Sequence, residues 1–409
     1  MAVTDVVIYV QGIHRFVEGL TIDRLADGLA AALGPAHRPT GTVEEARFEG
    51  SAIAIRTIEC GADGAFAPAV ALVEADYYDV FMALEEAWLP QRARETAAAV
   101  FANLPLAARP FAGAAGAKAS RLQRLYVLIL VATTLLTPLL LVLLVGYASW
   151  QIGGAVADAA RPYMEAAPAG PGAPAAAAPA ALAGLAGMAA ALASAIVLIK
   201  ALWEHLLPKV PKAFLRMFAR DPVRMLQYFT GTPARRPVRG RILARLDRAW
   251  RFARRRHPDA RIHLVAYSFG AVMAYDWLFP LAGARPAAAA PRIASFVTLG
   301  LPHDMVATFW PDYFGRGRDF AAASVGALHT LNLHDDVVGS ALPADAAVRS
   351  EIAAVAEHND ETIPPAWLAE LRVPQLGGIQ AHGLYFGFAD RLDSPAFRRI
   401  AAALSGRGR

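Results

Sequence analysis

Arg261-Ile-His-Leu-Val-Ala-Tyr-Ser-Phe-Gly-Ala271 decides the reading of this chain. Ile262 to Ala266 is a short apolar run of the kind that forms a buried strand, and Ala271-Val-Met-Ala-Tyr-Asp-Trp-Leu278 continues as an apolar helix. Between the two, Ser268 has Ala266 two residues before it and Gly270 two after. Small residues at both places let a tight strand-to-helix turn close and present the serine hydroxyl at its apex. That hydroxyl is a weak nucleophile until a neighbouring base takes its proton, so a base and a group to orient it are expected elsewhere in the chain. The pattern alone is weak, because Ala322-Ala-Ser324-Val-Gly326 matches it too. Ser324, however, follows Arg316-Gly-Arg-Asp-Phe-Ala-Ala322, which is no strand, and Ser268 is the candidate that context favours.

Outward from this segment the pattern alternates strand and helix, which implies an α/β fold with a mainly parallel sheet covered on both faces. Strands are expected at Val6 to Val10, Ala52 to Ile58, Ala69 to Glu74, Ile262 to Ala266, Ile293 to Leu299 and Leu328 to Leu333. Helices are expected at Thr21 to Leu33, Asp79 to Leu89, Arg239 to Arg256 and Gly270 to Leu278. Neither end of the chain has enough strands for a sheet of its own. Residues 1–120 and 209–409 therefore read as one split domain, with residues 121–208 inserted. The opening Asp5-Val-Val-Ile-Tyr-Val10 has no basic leader and reads as a strand of the mature protein.

The insertion accounts for an unusual composition. Of 409 residues, 56% are hydrophobic and 18% charged, with a mean hydropathy of +0.35, too apolar for an ordinary soluble enzyme. Leu125 to Trp150 carries no charge and exceeds the roughly 20 residues a helix needs to cross a bilayer, with Pro138 a tolerated kink. Ala181 to about Leu207 is a second, alanine-rich span, following the breaker-rich Ala166-Ala-Pro-Ala-Gly-Pro-Gly-Ala-Pro174. Its Ala183, Gly187 and Ala191 recur at the spacing that lets membrane helices approach closely. Lys118, Arg121 and Arg124 before the first span, and Lys200, Lys209 and Lys212 in the last turns of the second and just after it, put both chain ends on the cytoplasmic side, as in a bacterial inner membrane. From Lys209 to Arg261 there are 16 Lys or Arg against three acids, a charge suited either to anionic lipid headgroups or to a solvated face on Arg241, Arg245, Arg248 and Arg251. No stacking array or nucleic-acid motif accompanies it, so nucleic acid is not expected as a partner. The single cysteine, Cys60, excludes an internal disulfide and a thiolate metal cluster.

Together these features resemble the α/β-hydrolases of the lipase and esterase type, whose serine, acid and histidine follow in that order. The resemblance covers roughly residues 3–100 and 235–400, outside the insertion. Val297-Thr-Leu-Gly-Leu-Pro302 is similar to the family's strand after the nucleophile helix, with Leu301 where serine is usual. Leu331-Asn-Leu-His-Asp-Asp-Val-Val-Gly339 resembles the strand end that carries the acid. Registering Gly339 on that pattern implies Asp336, with Asp335 as the alternative. Gln380-Ala-His-Gly-Leu-Tyr-Phe386 resembles the late histidine loop and implies His382 as general base, ahead of His334 and His358. For the oxyanion the resemblance implies the amide of Phe269 and that of Ile13 or His14, after a turn at Gly12 where Gln11 replaces the family's histidine.

The resemblance implies a serine hydrolase that forms an acyl-enzyme on Ser268 and needs neither cofactor nor metal, and the two apolar spans add the expectation that it is membrane-anchored. Membrane lipids are the expected surroundings and a lipid or other acyl ester the expected substrate. Phe309, Trp310, Tyr313 and Phe314 would form a lid or acyl pocket, or else part of the core. Thioester or amide hydrolysis would use the same residues. A non-catalytic membrane scaffold of the same fold is the rival from another class.

Overall fold

The computed structural model describes residues 2–12, 22–62, 65–77, 79–81, 238–281, 290–315, 317–334, 336–343, 346–352, 354–362, 381–387 and 392–406, with residues 146, 150, 153, 154, 224, 225, 228, 229 and 367 besides. By compactness the chain divides into Met1–Ile129 with Val223–Arg409, and Leu130–Pro222. The fold below is that of the first unit.

Its strands are β1 (Asp5–Val10), β2 (His37–Pro39), β3 (Glu44–Phe48), β4 (Ser51–Ala62), β5 (Ala65–Glu74), β6 (Arg261–Tyr267), β7 (Arg292–Leu299), β8 (Ser324–Leu333) and β9 (Val355–Glu361). The helices used below are α1 (Ile22–Leu33), α2 (Val238–Arg256), α3 (Phe269–Leu278), α4 (His303–Phe309), α5 (Ala347–Glu351) and α6 (Pro395–Ser405). The sheet runs β2-β4-β5-β1-β6-β7-β8-β9, with β3 paired to β4. From β5 to β9 every pairing is parallel, whereas β2, β3 and β4 add an antiparallel flank. The fold is therefore α/β around a mostly parallel sheet.

Alternation along the central strands builds two buried faces. Val7 and Tyr9, Val265 and Tyr267, Val297 and Leu299, and Leu331 and Leu333 share one core with Leu25 and Leu29 of α1 and Phe397 and Ile400 of α6. The alternate residues Ile8, Leu264, Ala266 and Phe296 are buried as well, where α2 and α3 pack against each other and on β1 and β6. Burial on both faces is why these strands read as unbroken apolar runs. Each fully buried Leu or Phe contributes about 1.5–3 kcal/mol.

The sequence-level strands in the centre match observed ones, and three others escaped that reading. β2 and β3 lie on the antiparallel flank, and β9 holds the polar Glu357-His-Asn-Asp-Glu361. Of the helix expected over Asp79 to Leu89, only residues 79–81 are described, and the remainder lies outside the described residues.

Four arginines of α2 have polar partners on or beside the flank. Arg245 pairs with Asp79 and donates to Ser51 at 2.7 Å, Arg251 pairs with Glu49 at 2.6 Å and with Asp247 at 3.0 Å, and Arg256 pairs with Glu44 at 2.9 Å. Arg248 also donates to Ser51. Two of the sixteen basic residues counted along this stretch, Arg251 and Arg256, thus meet acids of the β3–β4 hairpin, 202 and 212 residues away in the chain. Apart from Gly146 and Trp150, both proposed membrane spans, about 125–150 and 181–207, lie outside the described residues. Among the described residues no helix is long and apolar enough to cross a membrane.

Candidate active site

β6 ends at Tyr267 and α3 begins at Phe269, so the single residue between them must reverse the chain. That residue is Ser268, with φ 56° and ψ −132°, a left-handed backbone that costs a non-glycine residue about 1–3 kcal/mol. Its backbone N–H donates to the Leu299 carbonyl at 2.8 Å, and its own carbonyl accepts from Ala271 at 2.9 Å, so both neighbouring strand and helix hold the turn. Gly270 is required by close approach, since a Cβ there would fall on the carbonyl oxygens of Val10 and Gln11. Gly12, in the loop after β1, lies equally close to the serine: a Cβ on it would come within 3.0 Å of the Ser268 Cβ.

Ser268 Oγ stands 2.7 Å from His382 Nε2, and His382 Nδ1 stands 2.8 Å from Asp336 Oδ2. A carboxylate can only accept, so Nδ1 carries the proton and donates to it. The lone pair of the neutral ring then lies on Nε2 and faces the Ser268 hydroxyl, which donates. All three side chains are buried, and the Asp336 side chain has no exposed surface. Asp336 follows the end of β8. Its Oδ1 accepts from the Val338 N–H at 2.8 Å, and its Oδ2 accepts a second bond, from the Tyr385 hydroxyl at 2.9 Å. His382 opens a single 3₁₀ turn, His382–Leu384, that Tyr385 ends. The Tyr267 ring stacks on the imidazole at 5.4 Å between centroids, and the Tyr267 hydroxyl donates to the His382 carbonyl. Burial first, and the Asp336 charge second, hold the phenols of Tyr267 and Tyr385 well above their ordinary pKa, so both remain proton donors.

The three residues singled out in the sequence therefore meet, and the described rivals, His334, His358 and Ser324, do not join them. Asp335, the alternative acid, lies outside the described residues. His334 is exposed, and His358 stacks on His329 within the sheet. Ser324 is exposed and pairs with Arg292 at the start of β8, at the end of the sheet opposite to Ser268. Phe269 is the first residue of α3, so its N–H is among those without an intrahelical acceptor. Gly12 stands beside the serine as stated, whereas Ile13 and His14 lie outside the described residues. The relevant loops follow the carboxyl ends of β1, β6, β7 and β8. β1 and β6 are neighbours whose following helices cover opposite faces, and ligands of open parallel sheets bind at that kind of crevice.

Of the aromatic residues anticipated beyond Gly300, Phe309 and Phe314 are buried, and Phe314 stacks on His303 at 4.6 Å. Trp310 and Tyr313 pack on Phe229 at 4.0 and 4.9 Å, and Phe229 in turn packs on Phe269 at 5.5 Å. They thus belong to an aromatic cluster that reaches the residue after the serine.

A second serine-histidine-aspartate array provides an internal comparison. Ser295 Oγ lies 2.7 Å from His263 Nδ1, and His263 Nε2 lies 2.9 Å from Asp5 Oδ1. Here the three residues sit on adjacent strands β7, β6 and β1, and the ring is used the other way round. Ser295 lies within its strand, has no positive φ and precedes no helix. Distances alone do not separate the two arrays; the strained turn, the helix amide and the adjacent Gly12 loop do. Sequence reading passed over this array, and it passed over Tyr267 and Tyr385 as partners of the first. Among the described residues no group of three or more His, Cys, Asp or Glu side chains is arranged to hold a metal ion. Compared with known proteins, the chain matches no family model, no curated protein and no solved structure.

Proposed function

We propose that the chain is a serine hydrolase of the α/β-hydrolase type that cleaves carboxylic esters through an acyl-enzyme on Ser268. The observation that carries this reading is the unbroken relay from Ser268 Oγ through His382 to Asp336, held at 2.7 and 2.8 Å on a strained turn that opens a helix. In the proposed reaction His382 Nε2 takes the hydroxyl proton as Ser268 Oγ attacks the ester carbonyl carbon. The carbonyl oxygen becomes an oxyanion facing the Phe269 amide and the Gly12 turn, and the amide of Ile13 would be its second donor. The leaving alkoxide departs with the proton from His382, and water then hydrolyses the acyl-enzyme by the same steps. Asp336 stays ionised throughout and stabilises the imidazolium.

A lipid or other acyl ester is the proposed substrate. It is supported by the aromatic cluster of Phe229, Phe269, Trp310 and Tyr313 beside the serine, together with the two long apolar segments at 125–150 and 181–207, of which the second carries only Lys200 and Glu204 as charges. Those segments would anchor the enzyme in a membrane, with the hydrolase domain on the cytoplasmic side.

A fluorophosphonate probe tests the chemistry directly. Labelling of the full chain that disappears in Ser268→Ala is the expected result; folded protein that stays unlabelled sinks the proposal. p-Nitrophenyl esters of rising chain length test the substrate class, and a strict preference for the shortest acyl group would overturn the lipid reading.

A further inference from the structure

We infer that Tyr385 is a positioning residue for the reaction proposed above, fixing the Asp336 carboxylate so that it holds His382 in register with Ser268. The inference rests on that functional reading and adds to it a fourth side chain that the order of serine, acid and histidine in the chain does not contain.

Tyr385 has three independent ties to the relay. Its hydroxyl donates to Asp336 Oδ2 at 2.9 Å, the same oxygen that accepts from His382. The hydroxyl also accepts from the backbone N–H of Leu333, the last residue of β8, at 3.0 Å. A phenol has one proton, so with Leu333 donating to its oxygen that proton is directed at the carboxylate. Finally, Tyr385 lies three residues beyond His382, at the end of the same 3₁₀ turn. One turn of chain thus delivers both the base and the clamp on the acid, and the clamp is anchored to the strand that delivers the acid.

The site leaves the ring little room to move. Tyr385 is fully buried, packed near the rings of Tyr267 and His382 at 5.8 and 6.0 Å. With the Val338 N–H on Oδ1, the carboxylate receives three donors from three directions. Such a carboxylate cannot rotate away from Nδ1 without giving up these bonds. The donor from Tyr385 also withdraws electron density from Oδ2, which moderates the pull of Asp336 on the imidazolium.

Tyr385→Phe keeps the ring and removes only the hydroxyl. The expected result is that kcat on a p-nitrophenyl ester falls about tenfold with KM little changed, the size for losing one hydrogen bond to a charged group from the transition state. The acid limb of kcat/KM should move up by about half a pH unit, because an unmoderated Asp336 favours the protonated imidazole. Tyr385→3-fluorotyrosine, a stronger donor with the same packing, should move the acid limb the other way and retain turnover. It also serves if Tyr385→Phe does not fold. Unchanged kcat and unchanged pH profiles in either folded variant would overturn the inference and leave Tyr385 a packing residue. If the wild-type chain neither labels with fluorophosphonate nor turns over any ester, it is the hydrolase reading that has failed. Labelled wild type with an indifferent Tyr385 condemns this inference alone.

Discussion

Among the described residues two serine hydroxyls face a buried imidazole bonded to an aspartate, and single substitutions distinguish them. Asp336→Asn replaces an acceptor by a group whose amide can donate to His382 Nδ1. The ring proton then moves to Nε2, where it faces Ser268 and cannot receive the serine proton. The expected loss in kcat is about 10⁴-fold, as for the same tautomer change in known serine proteases, and fluorophosphonate labelling should slow in parallel. Ser295→Ala removes the hydroxyl 2.7 Å from His263 in the second array and should leave both labelling and kcat within about twofold of wild type. Labelling that survives Ser268→Ala but vanishes in Ser295→Ala would exchange the roles of the two arrays. The sequence pointed to the first array because a strand, a small-residue turn and a helix leave a local signature at 262–278. It could not disclose the second, since Asp5, His263 and Ser295 meet only through the pairing of three strands.

At the scale of elements, α3 is held by a buried charge that no local pattern announces. Asp276 is fully buried and accepts from the Tyr228 hydroxyl at 2.6 Å and from the Tyr313 hydroxyl. It pairs with Arg318 at 2.6 Å and Arg239 at 3.0 Å, and the Arg318 side chain is only 1% exposed. Removing one partner of a buried pair strands the other, at a cost of about 3–5 kcal/mol. Asp276→Ala should therefore lower the thermal midpoint by roughly 10 °C or more. The isosteric Asp276→Asn should fall between it and wild type; a loss below about 1 kcal/mol in both would show that α3 does not depend on this charge. Elements buried on both faces were legible because packing and periodicity agree there. β9 was not, because an edge strand needs only one partner and tolerates Glu357-His-Asn-Asp-Glu361. α6 had signals that went unused: Ser394 caps it by accepting from Phe397 N–H, Pro395 opens it, and Gly406 follows its end with φ 65°. The β3–β4 turn is another case, since Glu49 and Gly50 both take positive φ without the usual Asn-Gly signature.

Across the whole molecule, acid sensitivity follows from histidines embedded in the sheet face. His329 of β8 stacks on His358 of β9 at 6.2 Å. Burial lowers the pKa of His329 first, then the neighbouring His358, His263 and Arg399 lower it further. His358 is lowered by burial and by Arg399, against an opposing effect of Glu361. A histidine whose folded pKa is depressed binds its proton more readily when unfolded. Stability is therefore full above the unfolded value of about 6.5, declines as pH falls below it, and levels off once the folded pKa has been passed. Asp5 adds a second decline at lower pH. Burial alone would raise its carboxyl, but the bonds from His263, Arg261 and Thr4 outweigh that and lower it. Its contribution is present above about 3.9 and is lost as pH falls through its depressed folded value. Both effects have the same sign, so chemical denaturation should show stability falling in two stages, one below pH 6.5 and one below pH 4. His329→Gln removes one titrating group and should flatten the first stage while leaving the second; Asp5→Asn should do the reverse. An unaltered first stage in His329→Gln would mean that the acid response arises elsewhere, and the stacked pair in the sheet would then have no part in it.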